Sequence, residues 1–179
     1  TMNFIDKLQI MSEDSGLDFM SLLKLSDGIK INDVELVQTT FGMASDEEIF
    51  IDFDKIMFAI SEGYIDYDKA LFIMYHEVAH HKRIHKLGVK EHMNRITNPD
   101  IKIFIDYTLN EEIFADRWAS FVFYLNNNRE YPRIKTQCLD NKDKSDKYKK
   151  KLMGVHPLFI GKTKDDYHRV IKNFIKNVR

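Results

Sequence analysis

Lys69-Ala70-Leu71-Phe72-Ile73-Met74-Tyr75-His76-Glu77-Val78-Ala79-His80-His81-Lys82-Arg83-Ile84-His85-Lys86-Leu87 holds no Gly or Pro and is followed at once by Gly88. With Asp66 or Asp68 as its cap, this stretch predicts a helix of about five turns that stops where a C-terminal glycine belongs. From Ala70 to Tyr75 it is apolar on every side, so the rest of the chain is expected to bury it. Directly after that half come His76 and His80, at i and i+4. On a helix they project from one face, close enough for both imidazoles to hold one ion, with Glu77 beside it. Burying two imidazoles and a carboxylate without partners costs a few kcal/mol, a cost that a metal ion removes.

The chemistry of such a centre follows from its parts. A zinc ion with three protein ligands and an open fourth position lowers the pKa of its bound water to about 7, and a neighbouring carboxylate can take the proton as that water attacks a carbonyl. The pattern therefore predicts His76 and His80 as metal ligands and Glu77 as the general base of peptide-bond hydrolysis.

A third ligand is sought downstream, where a glutamate followed four residues later by an aspartate offers a ligand and its supporting partner from one helical face. Among Glu91, Glu111, Glu112 and Glu130, only Glu112 has such a partner, Asp116. Ala115 and Ala119, like Ala79, would let two helices approach closely. Glu111 is the rival, but Thr108-Leu109-Asn110-Glu111 fits a capping box, which gives that glutamate a structural task. A further histidine ligand of the metzincin type would stand where Lys86 is, after a glycine where Arg83 is, so that pattern is excluded. His81, His85 and His92 are read as surface residues.

Working outward, helical patterns occupy about 3–11 and 17–25, and residues 54–61 form a short helix ended at Gly63. The alternation over 34–39 and the run 48–53 predict two strands. A second long helix is expected over 109–125, with Ile113, Phe114, Trp118, Phe121, Val122 and Leu125 as its apolar face. A third, over 164–177, opens on Thr163 with Asp166 three residues later.

The 179 residues, 44% of them hydrophobic, suit one domain with a substantial core, here taken as 2–179. Residues 140–151 (DNKDKSDKYKKK) read as a mobile basic loop. A net charge of −1 conceals an uneven distribution: residues 129–179 carry 15 Lys/Arg against 6 Asp/Glu, and residues 1–128 carry 12 against 22. Charge balance and the lack of any groove-reading motif speak against nucleic acid as a partner. No signal peptide and no apolar run near 18 residues is found, so the expectation is a soluble, cytoplasmic protein without a membrane partner. The one cysteine, Cys138, can form no internal disulfide and reads as an idle or buried thiol.

HEVAH at 76–80, followed by EIFAD at 112–116, resembles the HExxH and ExxAD pair of gluzincin zinc metallopeptidases. It is most similar to the endopeptidases that trim prenylated proteins and their heat-shock relatives, though it lacks their membrane spans. Small soluble gluzincin-like proteins that act in phage exclusion or cleave phage repressors match its size equally well. The resemblance implies a zinc cofactor and a protein or peptide substrate. It also implies an α+β, zincin-like fold: a small, partly antiparallel sheet packed on the HExxH helix, with the Glu112 helix crossing below. One sheet edge would hold the substrate as an added strand, and Glu48–Phe53 is the candidate edge. His156-Pro157 and Arg169 echo the family's C-terminal signature, so His156, then Arg169, are the candidates to stabilise the oxyanion. Tyr107, Tyr124 and Tyr131 are the alternatives. Two other classes compete. In a metal-stapled interaction protein without catalysis, Glu77 would have no role, because a structural site closes its fourth position. In a plain interaction protein of acidic body and basic tail, the histidines would bind no metal.

Overall fold

The computed structural model describes residues 2–26, 28–37 and 40–128. In chain order these form α1 (Phe4–Ser15), α2 (Ser21–Leu25), β1 (Lys30–Asp33), β2 (Gly42–Ala44), β3 (Glu48–Ile51), α3 (Phe53–Ser61), α4 (Tyr67–Leu87), α5 (Val89–Ile96) and α6 (Ile101–Asn127). The fold is α+β, mostly helical, with a three-stranded mixed sheet in the order β1-β3-β2. β1 runs parallel to β3, pairing Ile31 with Ile49, and β2 runs antiparallel to it, pairing Met43 with Phe50. The predicted 140–151 loop, the 164–177 helix and Cys138 lie outside the described residues. No helix among the described residues is long and apolar enough to cross a membrane.

α4 is the axis of the molecule. Asp66 caps it by accepting a hydrogen bond from Lys69 N at 2.7 Å, and Gly88 ends it with a φ of 92°, a backbone angle that side-chain-bearing residues rarely adopt. Leu71, Met74, Tyr75 and Val78 are fully buried against Leu8 and Met11 of α1, Ile49 and Ile51 of β3, and Val122 and Phe123 of α6. Each such side chain stabilises the fold by about 1.5–3 kcal/mol relative to exposure. The Tyr75 hydroxyl meets Ser21 Oγ at 2.5 Å, so the buried phenol has a partner.

Four expectations change. Within the alternating stretch 34–39, the described residues 34–37 form no strand: β1 lies just before them, and Val37 is 77% exposed. Side chains hold that segment instead, with Leu36 N donating to Asp52 Oδ2 at 2.8 Å and Lys55 donating to the Leu36 and Thr40 carbonyls. The Glu48–Phe53 segment does form β3, but β3 is the central strand, so it offers no edge; β2 and β1 are the edges. α6 begins at Ile101, two turns before the expected start, because Thr108-Leu109-Asn110-Glu111 continues the helix rather than capping it. On α6, Phe121 and Leu125 are 57% and 62% exposed, while Phe104, Ala115, Ala119, Val122 and Phe123 are buried. Packing on α4 selects the stripe that carries the small alanines.

Candidate metal centre

α4 and α6 lie antiparallel, their contacts running from His76 with Asp116 through His80 with Glu112 to Arg83 with Glu111. Ala79, Ala115 and Ala119 are fully buried between and beside these pairs, and their short side chains permit the close approach. His76 Nε2 lies 2.8 Å from His80 Nε2 and 3.4 Å from Glu112 Oε2, and His80 Nε2 lies 3.1 Å from Glu112 Oε1. Donor atoms from the three residues all fall within 4.8 Å of one another. A tetrahedral ion with bonds of about 2.0–2.1 Å sets donors about 3.3–3.4 Å apart, so the 2.8 and 3.1 Å separations would widen slightly around an ion, and the three side chains could hold a metal.

Asp116, 1% exposed, accepts from His76 Nδ1–H at 2.7 Å. That hydrogen bond places a proton on Nδ1 and turns Nε2 toward His80 and Glu112, the orientation a metal ligand needs. Burial alone pushes the His76 proton affinity down. The Glu112 charge and the hydrogen bonds to Asp116 and Glu112 outweigh it and raise the pKa to about 9. In the metal-free chain a proton on His76 thus offsets part of the charge of the two carboxylates.

Glu111 is settled by an ion pair rather than a cap. Arg83 Nε and Nη2 donate to its two oxygens at 3.1 and 2.9 Å, a bidentate contact, and the guanidinium lies 4.8 Å from the Phe114 ring centre. Glu112, one residue on, is the one that faces the histidines.

The three histidines assigned to the surface behave differently from one another. His85 is exposed. His81 is 6% exposed, and its Nδ1–H donates to the Ser45 carbonyl at 2.7 Å, just beyond β2. His92, half-buried on α5, meets the Tyr107 hydroxyl at 2.6 Å. Burial lowers the His92 pKa and raises that of Tyr107 to about 12, so an uncharged imidazole faces an uncharged phenol. An i,i+4 relation to Glu77 could have flagged His81, but the strand it holds, Gly42-Met43-Ala44, has no sequence signal of its own.

Glu77, half-buried, lies under β2: a methyl group added to Gly42 would stand 2.6 Å from Glu77 Cγ. A cavity of about 520 Å³, lined by Arg83 of α4, Arg95 of α5 and Tyr107, Glu111 and Phe114 of α6, among others, includes none of the three triad side chains. His156 and Arg169, the residues expected to face the oxyanion, lie outside the described residues, as does Tyr131.

Comparison with known proteins leaves the centre to its own geometry, since no family model, curated protein or solved structure matches the chain.

Proposed function

We propose that the protein is a zinc-dependent endopeptidase of the gluzincin kind, with His76, His80 and Glu112 as ligands, Glu77 as general base and Asp116 orienting His76. The observation that carries this reading is the convergence of two imidazoles and one carboxylate, with a buried aspartate behind the first imidazole and a further glutamate next in sequence. Zinc, when bound there, polarises a carbonyl and makes its water acidic near neutral pH. Glu77 then accepts the proton of the attacking water and delivers it to the leaving amine. Asp116 keeps the His76 ring in the tautomer that presents Nε2. A substrate strand would pair with the edge strand β2, which runs beside Glu77, rather than with the central β3.

A purely structural metal staple explains the triad equally well but leaves no task for Glu77. The deciding experiment compares the protein ends present in cells expressing wild type with those in cells expressing Glu77→Gln, alongside metal analysis of both purified proteins. The peptidase reading expects equal, one-to-one zinc and new cleavage sites with the wild type alone. Equal zinc with identical protein ends would leave the staple, and no zinc in either would remove both.

A further inference from the structure

The backbone of β2 and of Ser45, the residue after it, meets α4 at two points that lie one helical turn apart. At the first, a Cβ built on Gly42 falls 2.6 Å from Glu77 Cγ, 3.2 Å from its Cδ and 3.4 Å from its Oε1. Gly42 has no left-handed backbone angle, so the absence of a side chain there answers to this approach and not to strain. At the second point, His81, four residues after Glu77 and on the same face of α4, donates its Nδ1–H to the carbonyl of Ser45 at 2.7 Å. A carbonyl only accepts, so the Nδ1 proton of His81 is fixed. Met43, between the two points, is exposed on the opposite face of the strand.

We propose that Gly42 and His81 are positioning residues for Glu77: His81 clamps the end of β2 to α4, and the contact at Gly42 restricts which rotamer the Glu77 side chain adopts. Carbon atoms in contact normally stand about 3.5–4.0 Å apart, so a methyl at position 42 demands about 1 Å of displacement. Of the two members, β2 is held by its ladder to β3 and by the His81 bond, whereas Glu77 can turn about its own χ angles. Gly42→Ala therefore moves the carboxylate and leaves the strand and the His76–His80–Glu112 triad in place. The catalytic consequence rests on Glu77 being the base; the geometric one does not.

The test sets Gly42→Ala beside Met43→Ala, a change on the other face of the same strand. Crystal structures of the metal-free proteins should show the Glu77 carboxylate displaced by about 1 Å or more in Gly42→Ala alone, with thermal midpoints and zinc affinities close to wild type. In cobalt-loaded protein, the pH midpoint of the visible absorption bands should move in Gly42→Ala in the same direction as in Glu77→Gln and stay put in Met43→Ala. Cleavage of a substrate, once found, should fall about 100-fold in kcat with little change in KM, the usual cost of misplacing a reacting group by that distance. His81→Phe should act in the same direction, and His81→Asn, whose Nδ2 amide stands where the ring Nδ1 stood and can donate to the same carbonyl, should restore the wild-type values. An unmoved Glu77 under a lifted β2 would overturn the proposal, as would an unshifted cobalt midpoint. A displaced Glu77 in a protein that cleaves nothing would sustain the geometry and remove the peptidase reading instead.

Discussion

His76 Nδ1 and Asp116 Oδ1 stand 2.7 Å apart across the α4–α6 interface, joining residues forty positions apart in sequence. The aspartate is buried to 1% exposure and sits one turn beyond Glu112. Its charge raises the basicity of the ring that it orients. Asp116→Asn keeps the shape and can still accept through its amide oxygen, but loses the charge. Zinc affinity is expected to fall by about 10–100-fold, read by competition titration against a chelator. Unchanged affinity would show that the aspartate is only a buried partner and not a support for the ligand.

Adjacent glutamates carry different tasks, and a pair of substitutions separates them. Glu112→Gln removes the charge of the carboxylate whose two oxygens face His76 and His80, so stoichiometric zinc should be lost. Glu111→Gln breaks the bidentate contact with Arg83 instead. Zinc content should then be retained, while stability falls by about 1 kcal/mol, a modest figure because the Arg83 side chain is 40% exposed. Zinc loss from Glu111→Gln with retention in Glu112→Gln would reverse the assignment.

A pH dependence follows from the raised pKa of His76 in the metal-free chain. Its folded value of about 9 exceeds the usual 6.5, so protonated His76 stabilises the fold below pH 6.5, and that contribution is lost as the pH rises through about 9. Thermal midpoints in a chelator should decline between pH 6.5 and 9 relative to His76→Asn. Saturating zinc should remove the decline, because the metal binds the deprotonated ring. A metal-free midpoint that rises over this window relative to His76→Asn would contradict the assignment.

What could be read from the chain and what could not divides along physical lines. α4 was legible because caps, periodicity and the i,i+4 histidines all agree within one unbroken stretch, and Glu112 because its spacing to Asp116 reports a single helical face. β2 was not: Gly42-Met43-Ala44 has little strand propensity and becomes a strand only because β3 and α4 flank it. The 34–39 segment alternates well, yet Asp52 and Lys55 take up the backbone N–H and carbonyl of Leu36, which no local pattern could announce. The capping box at Thr108 is a real motif overridden by a helix that runs straight through it. Phe121 and Leu125 misled for the converse reason, since the face of α6 is chosen by the alanines that let it approach α4.

Under the proposed peptidase reading the tetrahedral oxyanion would need one more donor, and the described tyrosines narrow the choice. Tyr124 lies twelve residues beyond Glu112 on α6, about 18 Å along the helix axis at 1.5 Å per residue, too far to reach a carbonyl held at the metal. Tyr107 is nearer, but it is buried and its hydroxyl is engaged by His92 at 2.6 Å. Tyr107→Phe should therefore lower stability by about 1 kcal/mol for the lost hydrogen bond and leave kcat within a few-fold of wild type. His156, with Arg169 second, lies outside the described residues and is the donor proposed from the resemblance. His156→Ala is expected to reduce kcat about 100-fold, with KM and zinc content nearly unchanged, because a donor that acts only on the developing charge contributes to the transition state alone. If Tyr107→Phe produced that kcat loss and His156→Ala did not, the hydroxyl would have to leave His92 when substrate binds, and α5 would become part of the active site.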